Sequence, residues 1–129
     1  MEFPQGLLYT KEHEWAKIEG NQATFGISDY AQHSLGDITF VDLPKAGKVL
    51  EQFKFCATVE SVKAASDIFA PMSGTVTKVN SELAAHPEVI NKSPYDKGWL
   101  CVVELKDPAE KSKLMTAAQY DEYVKGLEK

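Results

Sequence analysis

Hydrophobic and polar residues alternate along most of the chain in short runs that end at glycine, proline, asparagine or aspartate. This pattern is typical of short β-strands and not of long helices. The predicted strands and extended segments cover residues 24–27, 37–43, 53–59, 67–71, 75–79 and 99–105.

Two of these strands are expected to supply much of the core. In residues 37–43 both alternating sets contain apolar side chains, which predicts burial on both faces. In residues 53–59 every second residue is apolar, so one face should be buried. That face consists of Phe53, Phe55, Ala57 and Val59.

Helix signals separate the strands. Ser28 or Asp29 is the predicted N-cap of a helix over residues 29–35, and Gly36 is its stop. A shorter helical turn is expected after Ser81, with Pro87 as its end, followed by a loop over residues 91–98.

The chain is expected to end in a helical tail over about residues 108–127. Asp107 precedes Pro108, a favoured first residue of a helix, and Thr116 with Gln119 forms a capping box. An apolar stripe at helical spacing should dock this tail onto the core. The stripe consists of Tyr120, Tyr123, Val124 and Leu127.

The length of 129 residues suits one domain with one core. Many short strands before a helical end predict a mainly β protein, a small antiparallel sandwich or flattened barrel with helical additions. We expect a single domain over residues 1–129, with a core of about residues 20–106 and a C-terminal helical region of about 108–127.

The charge limits the range of partners. The net charge is −5, and all 14 basic residues are lysines. Because arginine carries much of the bidentate recognition of phosphates and guanine, nucleic acid is not an expected partner; basic protein surfaces are. No apolar run reaches the roughly 18 residues of a membrane span, and the first 15 residues do not have the pattern of a signal peptide, so neither membrane insertion nor secretion is expected.

Cys56 and Cys101 each lie in an apolar, strand-like run. Two buried free thiols in a reducing compartment are the favoured interpretation, and a disulfide is the alternative. Two cysteines and three scattered histidines do not have the spacing of a zinc site, so no metal site is predicted.

We find no motif for nucleophilic, metal-dependent or phosphate chemistry, and we predict no catalytic residue. The histidine–glutamate pair His13–Glu14 lacks the second histidine of a zinc-protease motif. Lys63 is the remaining candidate, because it follows a strand and stands among small residues at the tip of a predicted hairpin. An amine there is accessible for acylation, as in proteins that carry biotin or lipoamide.

Residues 60–67 followed by 70–74 resemble the lipoyl-lysine segment of the H proteins of the glycine cleavage system. Four further segments agree with that family in order and spacing, so that the resemblance covers about residues 7–125. These segments are residues 9–15, 25–32, 35–44 and 88–99.

The resemblance implies a barrel-sandwich hybrid of the lipoyl-domain type and a carrier that is not itself an enzyme. Lipoate would be joined to Lys63 by an amide, within a motif of Glu60, Ser61, Val62, Ala64 and Asp67. The arm would take the aminomethyl group of glycine from glycine decarboxylase (P protein) to aminomethyltransferase (T protein). Dihydrolipoyl dehydrogenase (L protein) would reoxidise it. Lipoate-attaching enzymes are further partners, and we expect a monomer.

In this family the loaded arm can fold into a cleft on the carrier. Glu14 and Asp67 match acidic positions of that cleft, whereas Ser34 replaces a common histidine and has His33 beside it. A second departure is Phe53, where many members have glycine. Since phenylalanine does not share the conformational freedom of glycine, we expect a local difference in this turn.

Three alternatives stay open: a relay that donates lipoate to other complexes, a lipoyl domain of the 2-oxoacid dehydrogenase type, and an interaction module with unmodified Lys63. The second usually has Asp-Lys-Ala at its attachment site, where this chain has Val62-Lys63-Ala64. The expected compartment is the cytoplasm for a bacterial protein and the mitochondrial matrix for a eukaryotic one.

Overall fold

The computed structural model describes residues 1–127, which contain nine strands and three α-helices. The strands are β1 Leu8–Tyr9, β2 Glu14–Glu19, β3 Gln22–Ile27, β4 Ile38–Asp42, β5 Val49–Leu50, β6 Phe55–Ser61, β7 Ala65–Phe69, β8 Gly74–Val79 and β9 Cys101–Leu105. The α-helices are α1 Asp29–Leu35, α2 Val89–Lys92 and α3 Ala117–Leu127, with 3-10 turns at Ser81–Ala84 and Pro108–Lys113.

The strands form two antiparallel sheets. One has six strands in the order β1-β2-β3-β9-β8-β5, and the other has three in the order β4-β6-β7. A single hydrophobic cluster contains side chains from both sheets, among them Phe25, Val59 and Val103. The mainly β class with short helices and a C-terminal helix is therefore confirmed.

The burial predicted for two strands is confirmed at Ala57 and Val59 but wrong at several other positions. In β4 only Ile38 and Val41 are buried, and Phe40 is 51% exposed. The strand predicted over residues 53–59 begins at Phe55, and the side chains of Phe53 and Phe55 are about half exposed. Both strands contain an irregularity in their pairing, and an extra residue at a bulge shifts the alternation between the two faces.

Helix α1 begins and ends where the sequence predicts. The Ser28 hydroxyl accepts a hydrogen bond from the Ala31 N–H, and Gly36 ends the helix with φ of 80°. The prediction for Ser81 is wrong, because Asn80 occupies the cap position of that 3-10 turn and its side chain instead donates to the carbonyls of Lys97 and Trp99. Helix α2 lies partly in the segment predicted as a loop.

Helix α3 docks through Tyr120. Its ring stacks on that of Tyr9 with centroids 4.6 Å apart, and its hydroxyl lies 2.7 Å from Ser28 Oγ and 2.8 Å from His13 Nδ1. The capping box is confirmed, since Thr116 and Gln119 exchange backbone-to-side-chain hydrogen bonds. The apolar stripe is buried at Tyr120 and Val124, half buried at Tyr123 and exposed at Leu127.

Cys56 and Cys101 are free and buried, which confirms the favoured interpretation over the disulfide. A hydrogen bond between the two thiols, together with burial, raises the pKa of Cys101. Both thiols therefore serve as core side chains. Within residues 1–127 no helix is both long and apolar enough to cross a membrane.

The close approach of β8 and β9 requires glycine at position 74. A Cβ there would collide with the Glu104 carbonyl oxygen in the backbone of β9. We expect Gly74→Ala to lower the free energy of unfolding by about 2 kcal/mol, measured by urea denaturation. Gly126→Ala is the control: its Cβ meets nothing within 4 Å, and alanine favours a helix, so an increase of about 0.5 kcal/mol is expected. Equal losses in both variants would contradict this account.

Candidate functional site

Lys63 lies at the tip of the hairpin formed by β6 and β7. The last paired residues of the two strands are Glu60 and Ala65, and residues 62–64 form the exposed turn between them. The structure therefore confirms the predicted position of Lys63 at a hairpin tip. Neither of the two ion pairs within residues 1–127 involves its amine.

Ser61 organises the tip. Its hydroxyl accepts hydrogen bonds from the N–H groups of Lys63, at 3.1 Å, and Ala64, at 3.2 Å. Its own N–H donates to the Ala64 carbonyl at 2.8 Å. A serine hydroxyl that satisfies the backbone of its own turn keeps that turn in one conformation. Ser61 thus has a physical role in the attachment motif suggested by the resemblance.

The tip is also tied to the junction between α1 and β4. The Val62 N–H donates to the Asp37 carbonyl at 3.1 Å. The stem of Lys63 passes beside Gly36, where an added Cβ would lie 3.4 Å from Lys63 Cε. Asn91 secures this junction, because its side-chain amide accepts from the Ile38 N–H and donates to the Gly36 carbonyl. Neither Gly36 nor Asn91 belongs to the site predicted from the sequence.

Exposed side chains surround the lysine. Val62 is 68% exposed, and Glu60, Ala64 and Asp67 are exposed as well. Asp67 pairs with Thr58, and its side chain lies on the face of β7 opposite to the buried Ile68. The tip therefore presents an amine with an apolar neighbour and nearby carboxylates to any protein that approaches it.

Glu14 lies inside the molecule, with a side chain only 1% exposed. One carboxylate oxygen accepts a hydrogen bond from the Thr10 hydroxyl, and the other accepts from the Phe69 N–H at 3.1 Å. Strand β7 is an edge strand, so its N–H groups need partners from outside its sheet. Glu14 thereby joins β2 of the large sheet to the edge of the small one.

Burial raises the pKa of Glu14 to about 7. The hydrogen bonds from Thr10 and Phe69 favour the ionised form and oppose this shift, and the negative charge of Glu12 adds slightly to it. Glu14 therefore changes its charge close to neutral pH.

A cavity of about 530 Å³ opens beside Glu14. Four separate stretches of chain contribute to its wall, so no local pattern in the sequence could have indicated it. Its lining consists of Tyr9, Thr10, Lys11, Glu12, Glu14, Phe53, Phe69, Lys113 and Met115.

The three residues predicted for the cleft occupy different places. Glu14 lines the cavity, but neither Asp67 nor Ser34 does. Asp67 precedes Phe69 by two residues on the same face of β7, so it lies between the hairpin tip and the cavity. Ser34 is exposed in the last turn of α1, two residues before Gly36, beside which the stem of Lys63 passes. Its neighbour His33 is exposed too.

Comparison with known proteins gives a consistent result. The family model "Glycine cleavage H-protein" matches residues 7–127. A glycine cleavage system H protein of Brevibacillus brevis is 50% identical over 125 residues, which cover 97% of this chain and 99% of the relative. That of Bacillus subtilis is 49% identical over 122 residues, 95% of this chain and 96% of the relative. The crystal structure of the H protein of Mycobacterium marinum superposes with a TM-score of 0.86 at 34% identity, covering 98% of this chain and all of that one.

The raised pKa of Glu14 makes stability depend on pH. Between the unfolded value of about 4.5 and the folded value of about 7, the folded protein holds a proton that the unfolded chain releases. The stabilisation that the protonated Glu14 carboxyl provides is complete below the unfolded pKa, and it is lost as the pH rises through 7. Relative to Glu14→Gln, the wild type should lose up to about 3 kcal/mol of unfolding free energy between pH 4 and pH 8.

Urea denaturation at pH 4, 6 and 8 measures this difference. Glu19→Gln is the control, because Glu19 is exposed at the other end of β2 and does not contribute to the pKa shift of Glu14; its profile should follow that of the wild type. A constant difference between wild type and Glu14→Gln across this range would show that burial does not shift the pKa of Glu14.

Proposed function

The chain belongs to the glycine cleavage H-protein family, and we propose that Lys63 is the residue to which its lipoyl group is attached. The protein is a lipoylated carrier of the glycine cleavage system and is not itself an enzyme. The observation that carries the assignment of Lys63 is the exposed amine on an ordered hairpin tip.

The surroundings of Lys63 fit an acylated lysine. The amine has no ionic partner among the described residues, and its stem passes over a glycine that leaves room for it. The Ser61 hydroxyl keeps the turn ordered, so an attaching enzyme meets one conformation of the backbone. The side chains next to the lysine in sequence, Val62 and Ala64, are small and uncharged, which allows close approach.

The lipoyl group, when attached, supplies the dithiolane that carries the aminomethyl group of glycine. The residues of this chain hold the arm, set its reach and present it to other proteins. We propose as partners the decarboxylase (P protein), the aminomethyltransferase (T protein), the dihydrolipoyl dehydrogenase (L protein) and a lipoate-attaching enzyme. Glu60 and Asp67 near the tip, together with the net charge of −5, favour basic docking surfaces on these partners.

We further propose that the cavity beside Glu14 receives the loaded arm. A lipoyl-lysine chain has about twelve bonds from Cα to the first sulfur and spans about 14 Å when extended. Strand β7 spans about 13 Å from Ala65 to Phe69, a distance similar to the length of the arm, and Phe69 lines the cavity. An arm that folds back along the outer face of β7 therefore passes Asp67 and has its far end near Glu14.

The carboxylate of Glu14 suits the amine of the carried group, because a buried negative charge binds an ammonium more strongly than an exposed one does. Ser34 stays part of this proposal as a residue at the entrance, since the stem of Lys63 passes beside the nearby Gly36. A serine offers a hydroxyl without positive charge, so it does not weaken the negative potential of the Glu14 and Asp67 carboxylates.

We also propose one carrier domain that acts as a monomer. Both sheets share one core, and α3 packs on β1 through Tyr120, which supports this view. The relatives named above are bacterial, and this favours the cytoplasm of a bacterium as the compartment.

Intact mass and peptide mapping test the attachment site. Protein made with lipoate and a lipoate-attaching enzyme should gain one lipoyl increment on Lys63. Lys63→Arg keeps the charge but cannot form the amide, so we expect no increment and a loss of more than about 100-fold in reconstituted glycine cleavage. Lys54→Arg, in the turn just before β6, is the control and should be lipoylated like the wild type. An increment on another lysine would refute the assignment.

The lifetime of the aminomethyl-loaded protein, kept apart from its partner enzymes, tests the cavity. We expect Glu14→Gln to shorten this lifetime about tenfold at pH 8, because the charge that holds the amine is removed while the side-chain shape is kept. The wild-type lifetime should fall as the pH drops below 7 and Glu14 becomes protonated. Glu82→Ala, an exposed carboxylate outside the cavity, should have no effect. Equal lifetimes of wild type and Glu14→Gln at pH 8 would exclude Glu14 from arm docking.

A further inference from the structure

Phe53 occupies a backbone position that favours glycine. Its φ is 65°, and within residues 1–127 the only other non-glycine residue with positive φ is His13. The Lys54 N–H donates to the Glu51 carbonyl at 3.1 Å, so Phe53 is the third residue of a four-residue β-turn. Positive φ at this position alone defines a turn of type II, where glycine is the usual residue.

Hydrogen bonds with neighbouring segments of the same chain hold Phe53 in this conformation. Its N–H donates to the Ala70 carbonyl at 2.7 Å, and the Ala70 N–H donates to the Lys54 carbonyl at 2.9 Å. The side-chain amide of Gln52 donates to the carbonyls of Pro71 and Glu110 at 3.0 Å. A strained residue persists only where its surroundings determine its conformation, and such residues cluster at functional sites.

The side chain of Phe53 contributes little to the packing of the core. The Phe53 ring is 47% exposed. It belongs neither to the hydrophobic cluster between the two sheets nor to a second cluster around Trp15 and Tyr120, and it forms no aromatic pair with any residue between 1 and 127. A glycine would relieve the backbone without loss from the core, so stability does not explain a phenylalanine here.

The ring does line the cavity, together with Glu14 and Phe69. The cavity thus has aromatic wall on two stretches of chain and a buried carboxylate on a third. A lipoyl arm has matching parts: methylenes and sulfur atoms that pack on aromatic rings, and a carried amine that pairs with a carboxylate.

We propose that Phe53 is a positioning residue for the lipoyl arm: its ring forms the wall against which the hydrocarbon and sulfur part of the arm packs when the arm is folded back. The strained turn aims this ring at the cavity. This inference rests on the proposed function, because it requires a lipoyl group on Lys63 and the use of this cavity.

The test uses the lipoylated protein with its aminomethyl load and three variants. Phe53→Gly removes both ring and strain, and Phe53→Leu keeps apolar bulk at the same Cβ. Phe40→Ala is the matched control, because Phe40 is 51% exposed, lies on β4 at the opposite edge of the three-stranded sheet from β7, and is not part of the cavity lining. We expect Phe53→Gly to shorten the lifetime of the load about fivefold, Phe53→Leu to shorten it less, and Phe40→Ala to leave it unchanged.

Two further measurements separate positioning from a structural role. The urea midpoint of unliganded Phe53→Gly should equal or exceed that of the wild type, because a strained residue is replaced by glycine. In the loaded wild type, nuclear Overhauser effects should connect the Phe53 ring protons to the methylenes of the arm. A lower urea midpoint together with absent ring contacts would mean that Phe53 only supports the turn, and the inference would be overturned.

The outcomes also distinguish this inference from the proposed function. If Glu14→Gln shortens the lifetime and Phe53→Gly does not, the cavity is used and the role of Phe53 is refuted. If neither variant changes the lifetime, the cavity assignment fails and the role of Phe53 fails with it. Equal shortening by Phe53→Gly and Phe40→Ala would refute a role of this particular ring. A lipoyl increment missing from Lys63 would overturn the attachment proposal itself and, with it, this inference.

Discussion

The hydrogen bond from the Phe69 N–H to the buried carboxylate of Glu14 joins the two sheets at the edge where the arm is proposed to dock. An edge strand presents unpaired N–H groups, and a buried carboxylate needs donors, so each group meets the requirement of the other. The same contact places a titratable carboxylate in the wall of the cavity. Burial raises the pKa of this carboxylate to about 7, although the hydrogen bond itself opposes the rise. The stability of this edge and the chemistry of the cavity therefore depend on one interaction.

The hairpin of β6 and β7 combines an ordered backbone at Lys63 with a side chain that is free to move. Its strands are paired through Glu60 and Ala65, and the Ser61 hydroxyl orders the tip, so the backbone at Lys63 has little freedom. The long side chain beyond that point is exposed and has no ionic partner among the described residues. A carrier needs this combination, because a fixed origin limits the volume that the arm searches while a flexible arm still reaches several partner enzymes.

Unlike the hairpin tip, the turn that contains Phe53 has a strained backbone. Two hydrogen bonds hold this backbone in an unfavourable conformation, with a φ of 65° at Phe53. The Phe53 N–H donates to the Ala70 carbonyl, and the Ala70 N–H donates to the Lys54 carbonyl. The ring it presents is half exposed and lines the cavity with Phe69. Strain at such a position is consistent with a protein that gives up some stability at the place where it binds a ligand.

Local patterns in the sequence were sufficient for six of the nine described strands, the cap at Ser28, the capping box at Thr116 and the place of Lys63 at a hairpin tip. These features depend on residues within a few positions of one another, so alternation, capping and turn chemistry determine them. The tertiary structure decided the exposure of Phe40 and Phe55, helix α2 and the cavity. Each of these depends on a bulge, on pairing register or on contact between distant segments, and those are set by packing between the sheets and not by neighbours in the chain.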